Sequence, residues 1–485
     1  MTRPTPGTPA EGTTVTPEST TGQQNGEFTE DIGAKNIGDA FRRYVGQVRG
    51  GELGALPALG GVIVLLVVFA NANSVFLSRG NFANFLTQAA PTALLAMGLT
   101  FVLLLGEIDL SAGTASGVCA STMALSLANR GDLAGSLGRP TYLILLVFLL
   151  GAVAITVWFR LWIPAGIVAL GMIFILTGLT KHVYVSMFVA IAVGVAIGTL
   201  IGYLVAQIGI PSFVVTLALF LAWQGVLLKF IGEGAAIPTK DHHAVFALEN
   251  ENLATFTGWA LWIVAMLGYG GYTLTRAIQR RRNNLVSEPI DLVILRIVAL
   301  AATTGLAVAL LSQNRSKTVF AEISGIPYAV PLVAVVFILW SLVLAKSRFG
   351  RFVYATGGNA EAARRAGINV TRVRLSVFII CSGMAGLAGI VQSSKQGAVD
   401  AAFGNGTTLL YAVGAAVIGG TSLFGGRGKV RDAVIGALVI AMIPNGLGLL
   451  RNLDASYEFL LTGLVLLLAA SVDALSRKRT SATGR

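Results

Sequence analysis

Two carboxylates stand at the edge of an otherwise apolar stretch, Glu107 and Asp109 in LLLGEIDLSAGT. Inserting a carboxylate at membrane depth costs ~3 kcal/mol, so such a group usually has a task. Three kinds of chemistry suit this pair. It can hydrogen-bond to sugar hydroxyls, carry a proton in an ion-coupled transporter, or cap a helix beginning near residue 110, with Asp109 or Ser111 as the cap. The apolar runs on either side are short, which puts these groups near one membrane surface, expected to be the cytoplasmic one. A second set lies at Ile210-Pro211-Ser212, where one apolar run ends and another begins. Pro211 suits a first helical turn, because its missing N–H costs nothing there. If a broken helix lines a cavity here, then Thr216, Trp223 and Gln224 are candidates for a substrate path, an aromatic face with hydrogen-bonding neighbours. Asn445, following Pro444, has the same standing. Plain helix packing is the competing reading for each.

Other chemistry is excluded by spacing. Gly426-Arg427-Gly428-Lys429-Val430 looks like part of a nucleotide loop, but a phosphate cradle needs GxxxxGK followed by Ser or Thr. Val430 follows the lysine, and Leu423 occupies the required first glycine, so this is no Walker A loop. The two cysteines, Cys119 and Cys381, lie in distant apolar stretches and read as small core residues. The three histidines, His182, His242 and His243, form no ligand set with them, and no Ser–His–Asp, Cys–His or HExxH arrangement occurs. Neither a catalytic residue nor a metal site is expected.

The segment Gly357–Arg374, GGNAEAARRAGINVTRVR, is charged and alanine-rich in a chain that is 54% hydrophobic and only 12% charged. Asn359 can cap a helix of two turns, with Glu361 in its first turn and Arg364 and Arg365 following. Gly367 ends it. Ala362, Ala363 and Ala366 are spaced to form one small-residue face. A helix this short needs a partner surface to be stable. The bland alternative is a solvated helix that merely joins two spans.

These segments need a scaffold, and composition names its class. A mean hydropathy of +0.75 with 58 glycines among 485 residues fits an all-α, polytopic bundle of transmembrane helices, where small residues let backbones approach. Residues 1–50 are rich in Thr, Pro, Gly and Glu and read as a disordered tail, without the basic start and apolar core of a cleaved signal peptide. A hydrocarbon core of ~30 Å needs roughly 20 apolar residues per helix. That window gives fourteen spans: 55–71, 84–105, 110–128, 141–159, 161–180, 183–207, 212–231, 257–276, 291–312, 327–345, 373–394, 408–424, 432–450 and 457–474. The small, polar 110–128 and the glycine-rich 408–424 are the ones that could be broken or re-entrant. With both termini inside, the inner segments hold 24 of the 35 Lys and Arg and the outer ones 10. This is the positive-inside bias. The net charge of +12 thus belongs to topology rather than to nucleic acid. Segment 346–372 and the basic tail 477–485 then face the cytoplasm, and 232–256 is the longest external loop.

GGNAEAARRAGI resembles the cytoplasmic coupling segment of permeases from bacterial ATP-binding-cassette importers of the ribose and xylose type. LTFVLLLGEIDLSAGT (Leu99–Thr114), IPSFVVTLALFLAWQGVLL (Ile210–Leu228) and AAVIGGTSLFGGRG (Ala415–Gly428) resemble three further segments of that family, in the same order. The xylose-type branch fits best, on GEIDLS, the long 229–290 connection and the ending LLLAASVDALSRKR. Trp223-Gln224-Gly225 departs from the usual Arg-Gly, and the tail 1–50 has no counterpart. The resemblance implies a permease domain over 51–476 in a bacterial cell membrane. It also implies a second permease copy and a monosaccharide substrate, a pentose such as xylose. ATPase subunits carrying ATP and Mg and an extracytoplasmic sugar-binding protein complete the implied assembly. The coupling helix is implied at Gly358, Asn359, Glu361, Ala362, Ala363, Arg364, Ala366 and Gly367. An ion-coupled secondary sugar transporter using Glu107 or Asp109 is the alternative; a channel or membrane enzyme has no residues to support it.

Overall fold

The computed structural model describes residues 56–285, 287–316, 322–450 and 455–482, with isolated positions between 38 and 54. The tail 1–50 lies almost wholly outside the described residues, as do 483–485. Backbone N–H and C=O groups have no water to bond inside a bilayer, so apolar chain satisfies them within helices. Among the described residues there are eighteen α-helices. The first six are α1 (Leu56–Ala72), α2 (Arg79–Leu104), α3 (Ala112–Ala128), the short α4 (Leu133–Leu137), α5 (Arg139–Trp158) and α6 (Trp162–Leu176). Then α7 (Val183–Tyr203) runs into a π-turn, Leu204–Ile208, ahead of α8 (Ser212–Ile231). A loop helix, α9 (His243–Asn250), precedes the long pair α10 (Thr255–Arg282) and α11 (Ile290–Ser312). Next come α12 (Ala329–Lys346), α13 (Arg348–Gly358), the six-residue α14 (Ala360–Arg365) and α15 (Val370–Gln396). The chain closes with α16 (Gly406–Gly419), α17 (Val430–Gly448) and α18 (Ala455–Ala482).

Every one of the apolar windows read from the sequence falls on a helix, and eight of these helices are long and apolar enough to cross a membrane. Two windows differ in detail. Window 110–128 is the continuous helix α3, buried over Ala112–Leu127. Its polarity is internal: Ser116, Ser121, Thr122 and Ser126 donate to carbonyls three or four residues back. Window 408–424 is helical only to Gly419, where Gly420 turns left-handed. At 14 residues α16 spans about 21 Å, and residues 420–429 continue as non-helical chain.

The centre of the bundle is built on close approach. Gly194, Gly198 and Gly202 of α7 lie against Ser382, Phe378 and Leu375 of α15, two antiparallel helices in register. A Cβ on Gly198 would stand 2.7 Å from the Ile379 Cα, and one on Gly202 2.9 Å from the Leu375 Cα. On α15, Gly386 meets Ala190 and Gly389 meets Ser116 in the same manner. Glycine at four-residue spacing lets backbones touch where lipid offers no hydrophobic drive. Both cysteines sit in this core, free and fully buried.

Four short strands, β1 (Ala236–Pro238), β2 (Asn252–Leu253), β3 (Ile326–Pro327) and β4 (Ala398–Asp400), form two antiparallel ribbons. In β1–β4 Ile237 stands opposite Val399, and in β2–β3 Leu253 stands opposite Ile326. These ribbons draw loop 232–256 over one end of the bundle. There, Thr239 Oγ1 donates to Ser393 O (2.9 Å), Asn250 Nδ2 to Ser394 O (3.1 Å) and Thr239 N–H to Gly397 O (2.9 Å), fastening the loop to the C-terminal end of α15. The segments 105–111, 209–211, 357–374 and 420–429 gather at the N-terminal end of the same helix.

Candidate functional site

The candidate site is the meeting of four segments at that second end. Leu104 closes α2, and the chain turns at Gly106, whose φ is +73°. Phe424 O would stand 3.1 Å from a Cβ there, so residues 105–108 lie directly on the 420–428 turn. Gly426 N–H donates to Leu104 O at 2.8 Å. Gly357, ending α13, packs between Leu104 O and Gly426 N with no room for a side chain. Tyr354 O–H, one turn earlier, donates to Gly428 O at 2.8 Å. Glycines from three distant segments thus allow three backbones to touch.

The fourth segment is the start of α8, reached through the π-turn and Gly209, whose φ is +88°. Single π-turns recur at functional sites because they re-aim the next stretch of chain. Ile108 N–H donates to Ser212 Oγ (3.3 Å), and Thr216 Oγ1 donates both to Ile108 O (3.2 Å) and to Ser212 O (2.9 Å). Residue 108 is therefore pinned to α8 through its backbone.

The two carboxylates take different roles. Glu107, largely buried, forms an ion pair with Arg374 Nε at 3.2 Å, tying the GEID loop to the first turn of α15. Asp109 is 1% exposed. Its Oδ1 accepts from Ser111 N–H (3.0 Å) and Ser111 Oγ (2.8 Å), and the Cys381 thiol lies beside the carboxylate. Ser111 occupies the N-cap position of α3, but its hydroxyl donates to Asp109 instead of accepting from the helix. Asp109 is thus the group that satisfies the entry to α3, an Asx turn against a helix N-terminus.

Beside this cluster stands α14. Asn359 Oδ1 accepts from Ala362 N–H at 2.9 Å, and Gly367 turns left-handed after the helix, with a φ of +83°. Glu361 pairs with Arg364 (3.0 Å) and Arg365 (3.3 Å), all three exposed, so these bridges order side chains more than they stabilise the fold. The single small-residue face expected from Ala362, Ala363 and Ala366 is split. Ala363 is 4% exposed and turned into the protein, while Ala362 and Ala366 remain open. The reason is geometric: residues 362 and 366 are four apart and share a face, and 363 lies a third of a turn away. The exposed stripe is Ala362–Ala366, flanked by Gly358 and Gly367.

Much of the turn 420–429 is tied up by its own backbone hydrogen bonds. Ser422 N–H donates to Arg427 O, Gly425 N–H to Ser422 O and Gly426 N–H to Leu104 O, so backbone donors that would cradle an anion are engaged. Lys429 N–H goes to Asp432 Oδ2 at 2.7 Å, at the start of α17.

Comparison with known proteins decides the family. Residues 165–470 match the family described as branched-chain amino acid transport system / permease component. The chain is 30% identical over 420 residues to the xylose transport system permease protein of Escherichia coli K12, covering 86% of this chain and 91% of that one. The chain belongs to this permease family. The corresponding Haemophilus influenzae protein is 29% identical, covering 86% of this chain and 95% of its own. The ribose import permease protein of Escherichia coli K12 is 38% identical over 149 residues, 31% of this chain and 46% of that one. No solved structure matches. The permease is a multi-pass protein of the inner membrane.

Not every candidate joins the cluster. Glu107, Asp109, Ser111 and Thr216 meet around Ile108. Trp223 and Gln224 lie two turns further along α8, half-buried, with Trp223 edge-on to Phe148 of α5 at 5.9 Å and its Nε1 unpartnered. Asn445 is elsewhere again, in a buried reciprocal amide pair with Asn81: Asn81 Nδ2 donates to Asn445 Oδ1 (2.8 Å) and Asn445 Nδ2 to Asn81 Oδ1 (3.1 Å). That pair joins α2 to α17. Arg374, Tyr354 and Gly357 are members of the candidate cluster that residue-by-residue reading passed over. Arg374 had a visible signal, a cation at the very start of an apolar span.

Proposed function

We propose that this permease is the membrane-spanning subunit of an ATP-binding-cassette importer that moves a monosaccharide, a pentose such as xylose, inward. Two copies would form the pathway across fourteen spans each, with both termini in the cytoplasm. ATP and Mg would be bound by separate ATPase subunits, and a sugar-binding protein would deliver substrate to the opposite face, against loop 232–256 and its neighbours. The names of the relatives support the substrate class.

One observation carries the mechanism: the exposed Ala362–Ala366 stripe sits at the end of a chain of contacts that leads into the bundle. Behind α14, Gly357 touches Leu104 and Gly426, and Arg374 holds Glu107. A push on α14 therefore reaches residues 105–111 and 420–429, both of them non-helical. It also reaches α15, whose 27 residues carry it ~40 Å to the hydrogen bonds that fasten loop 232–256. Rigid-body transmission of this kind couples nucleotide-driven closure to alternating access. The ATPase provides the differential binding of the two states, and the permease forms and breaks no covalent bond.

The test is reconstitution with the neighbouring ATPase and binding protein, comparing Glu361→Arg with wild type. Loss of sugar-stimulated ATP hydrolysis with unchanged folding is expected. Uptake by this chain alone, driven by a proton gradient, would instead support ion coupling through Glu107 or Asp109. The geometry speaks against that, because Glu107 is paired and Asp109 is sealed from water.

A further inference from the structure

Helices α10 and α11 stand apart from the coupling site and enclose a cleft of about 350 Å³ lined by Met266, Leu267, Gly270, Gly271, Leu274, Ile294, Ile297 and Val298. Every lining side chain is apolar. Two glycines make the hollow: Gly271 has nothing within 4 Å of where its Cβ would be, and Gly270 meets only Ile297. The lips are open to the surroundings, with Leu267 and Val298 both strongly exposed. Seven and eight residues past Leu274, two helical turns further along the same face, come Arg281 and Arg282. They are part of an exposed run with Arg276 and Arg280 at the end of α10. The neighbouring charges are Arg296, paired with Glu288 at 3.1 Å, and Asp291 in the first turn of α11. Five cations thus face two anions, so the cleft's polar end is net positive.

We infer that this groove holds one anionic phospholipid, its acyl chain in the cleft and its headgroup phosphate at Arg281 and Arg282. The spacing suits that occupant: Arg281 lies ~10 Å along the helix axis from Leu274, a step from hydrocarbon to headgroup level. Arginine can donate to the phosphate through a planar fork, and the net positive end favours a lipid of net negative charge over a zwitterionic one, whose ammonium would stand among the arginines. A second copy of the chain fits less well. A two-fold axis along the membrane normal would bring both arginine runs to the same membrane face, like charge against like.

Native mass spectrometry of the purified full chain tests this, titrated with phosphatidylglycerol or phosphatidylethanolamine of identical acyl chains. Wild type should retain phosphatidylglycerol at least tenfold better, since each arginine near a membrane surface contributes roughly fivefold. Arg281→Gln with Arg282→Gln, both on the exposed surface, should abolish the preference and leave phosphatidylethanolamine binding unchanged. Gly271→Leu fills space that is open, and should reduce retention of both lipids without lowering the melting temperature. Equal retention of the two lipids by wild type, or no effect of either variant, overturns the proposal. So does efficient disulfide dimerisation of Gly271→Cys, which would give the groove to a second copy.

Discussion

Gly198 offers the sharpest test of how the bundle is held together. Its α-carbon faces α15 so closely that an added Cβ would stand 2.7 Å from Ile379 Cα and closer still to Phe378 O. Ordinary contact begins at 3.4 Å, so Gly198→Ala leaves the helices at least 0.7 Å too close. Backbone cannot yield as a flexible side chain does. Separating α7 from α15 would also loosen Gly194 and Gly202, which share the register. Overpacking of this kind costs about 1–3 kcal/mol, against a helix-propensity gain of ~1 kcal/mol for losing a glycine. The net effect is destabilisation by up to about 2 kcal/mol.

A control works in the opposite sense. Gly151 of α5 is exposed with nothing within 4 Å, so Gly151→Ala should be neutral or stabilising. The chain provides its own reporter, because Cys119 and Cys381 are its only cysteines and both are fully buried. Cys119 Sγ lies 3.3 Å from the Cβ position of Gly194. A thiol-reactive fluorescent maleimide therefore reads separation of α3, α7 and α15 as the protein melts. Gly198→Ala should lower the midpoint by a few degrees and Gly151→Ala should not. If Gly198→Ala melted at or above wild type, the glycine-lined contact between α7 and α15 would not exist as described.

The amide pair between α2 and α17 should behave non-additively. Asn445→Ala leaves Asn81 buried without its partner, a loss of about 1–3 kcal/mol, whereas Asn81→Leu with Asn445→Leu should cost less than the two single changes together; additive melting shifts would exclude the pairing. Charge exchange tests the other cross-link: Glu107→Arg and Arg374→Glu singly should impair sugar-stimulated hydrolysis in the reconstituted complex, and the double variant should recover part of it. No recovery would mean that the 3.2 Å ion pair does not join the loop to α15. Glu249, on α9 outside the bundle, is pushed up to about 8 by burial, with Lys395 pulling it back. Its folded form then holds an extra proton between the ordinary carboxylate range and about 8, so stability should fall as pH rises through that window. Melting curves from pH 5 to 8.5 should show this slope in wild type and a flatter one in Glu249→Gln; identical slopes would exclude the assignment.

Much of the scaffold was legible because hydropathy is a property of single stretches. Runs such as 141–159 and 291–312 announce themselves by length, and their helices expose most of their apolar surface. Legibility falls where a helix is enclosed by protein. Ala112–Ala128 carries serines and threonines because their hydroxyls return to its own carbonyls, so its hydropathy understates its burial. The run Gly194-x3-Gly198-x3-Gly202 was visible as a pattern. What it could not disclose was the partner, because the matching surface on α15 is Leu375, Phe378 and Ser382, which share one helical face by spacing but no residue type that marks them.

The site divides the same way. Asn359 as a cap and Gly367 as a terminator were readable from neighbours three to eight residues apart, since capping is local chemistry. The orientation of Ala363 was not, for it depends on where α14 is pressed against the protein. The deeper reason concerns Gly106, Gly357 and Gly425. Each looks like an ordinary turn glycine in its own segment, and segment by segment nothing distinguishes it from the other glycines of the chain. Their meaning is joint: three backbones pass within touching distance only if all three lack a side chain. A side chain at any one would displace the other two segments, so GEID, GGNAE and FGGRG form one packed unit. Their order along the chain could suggest a family, but only folding shows that they are one surface, with the exposed Ala362–Ala366 stripe beside it.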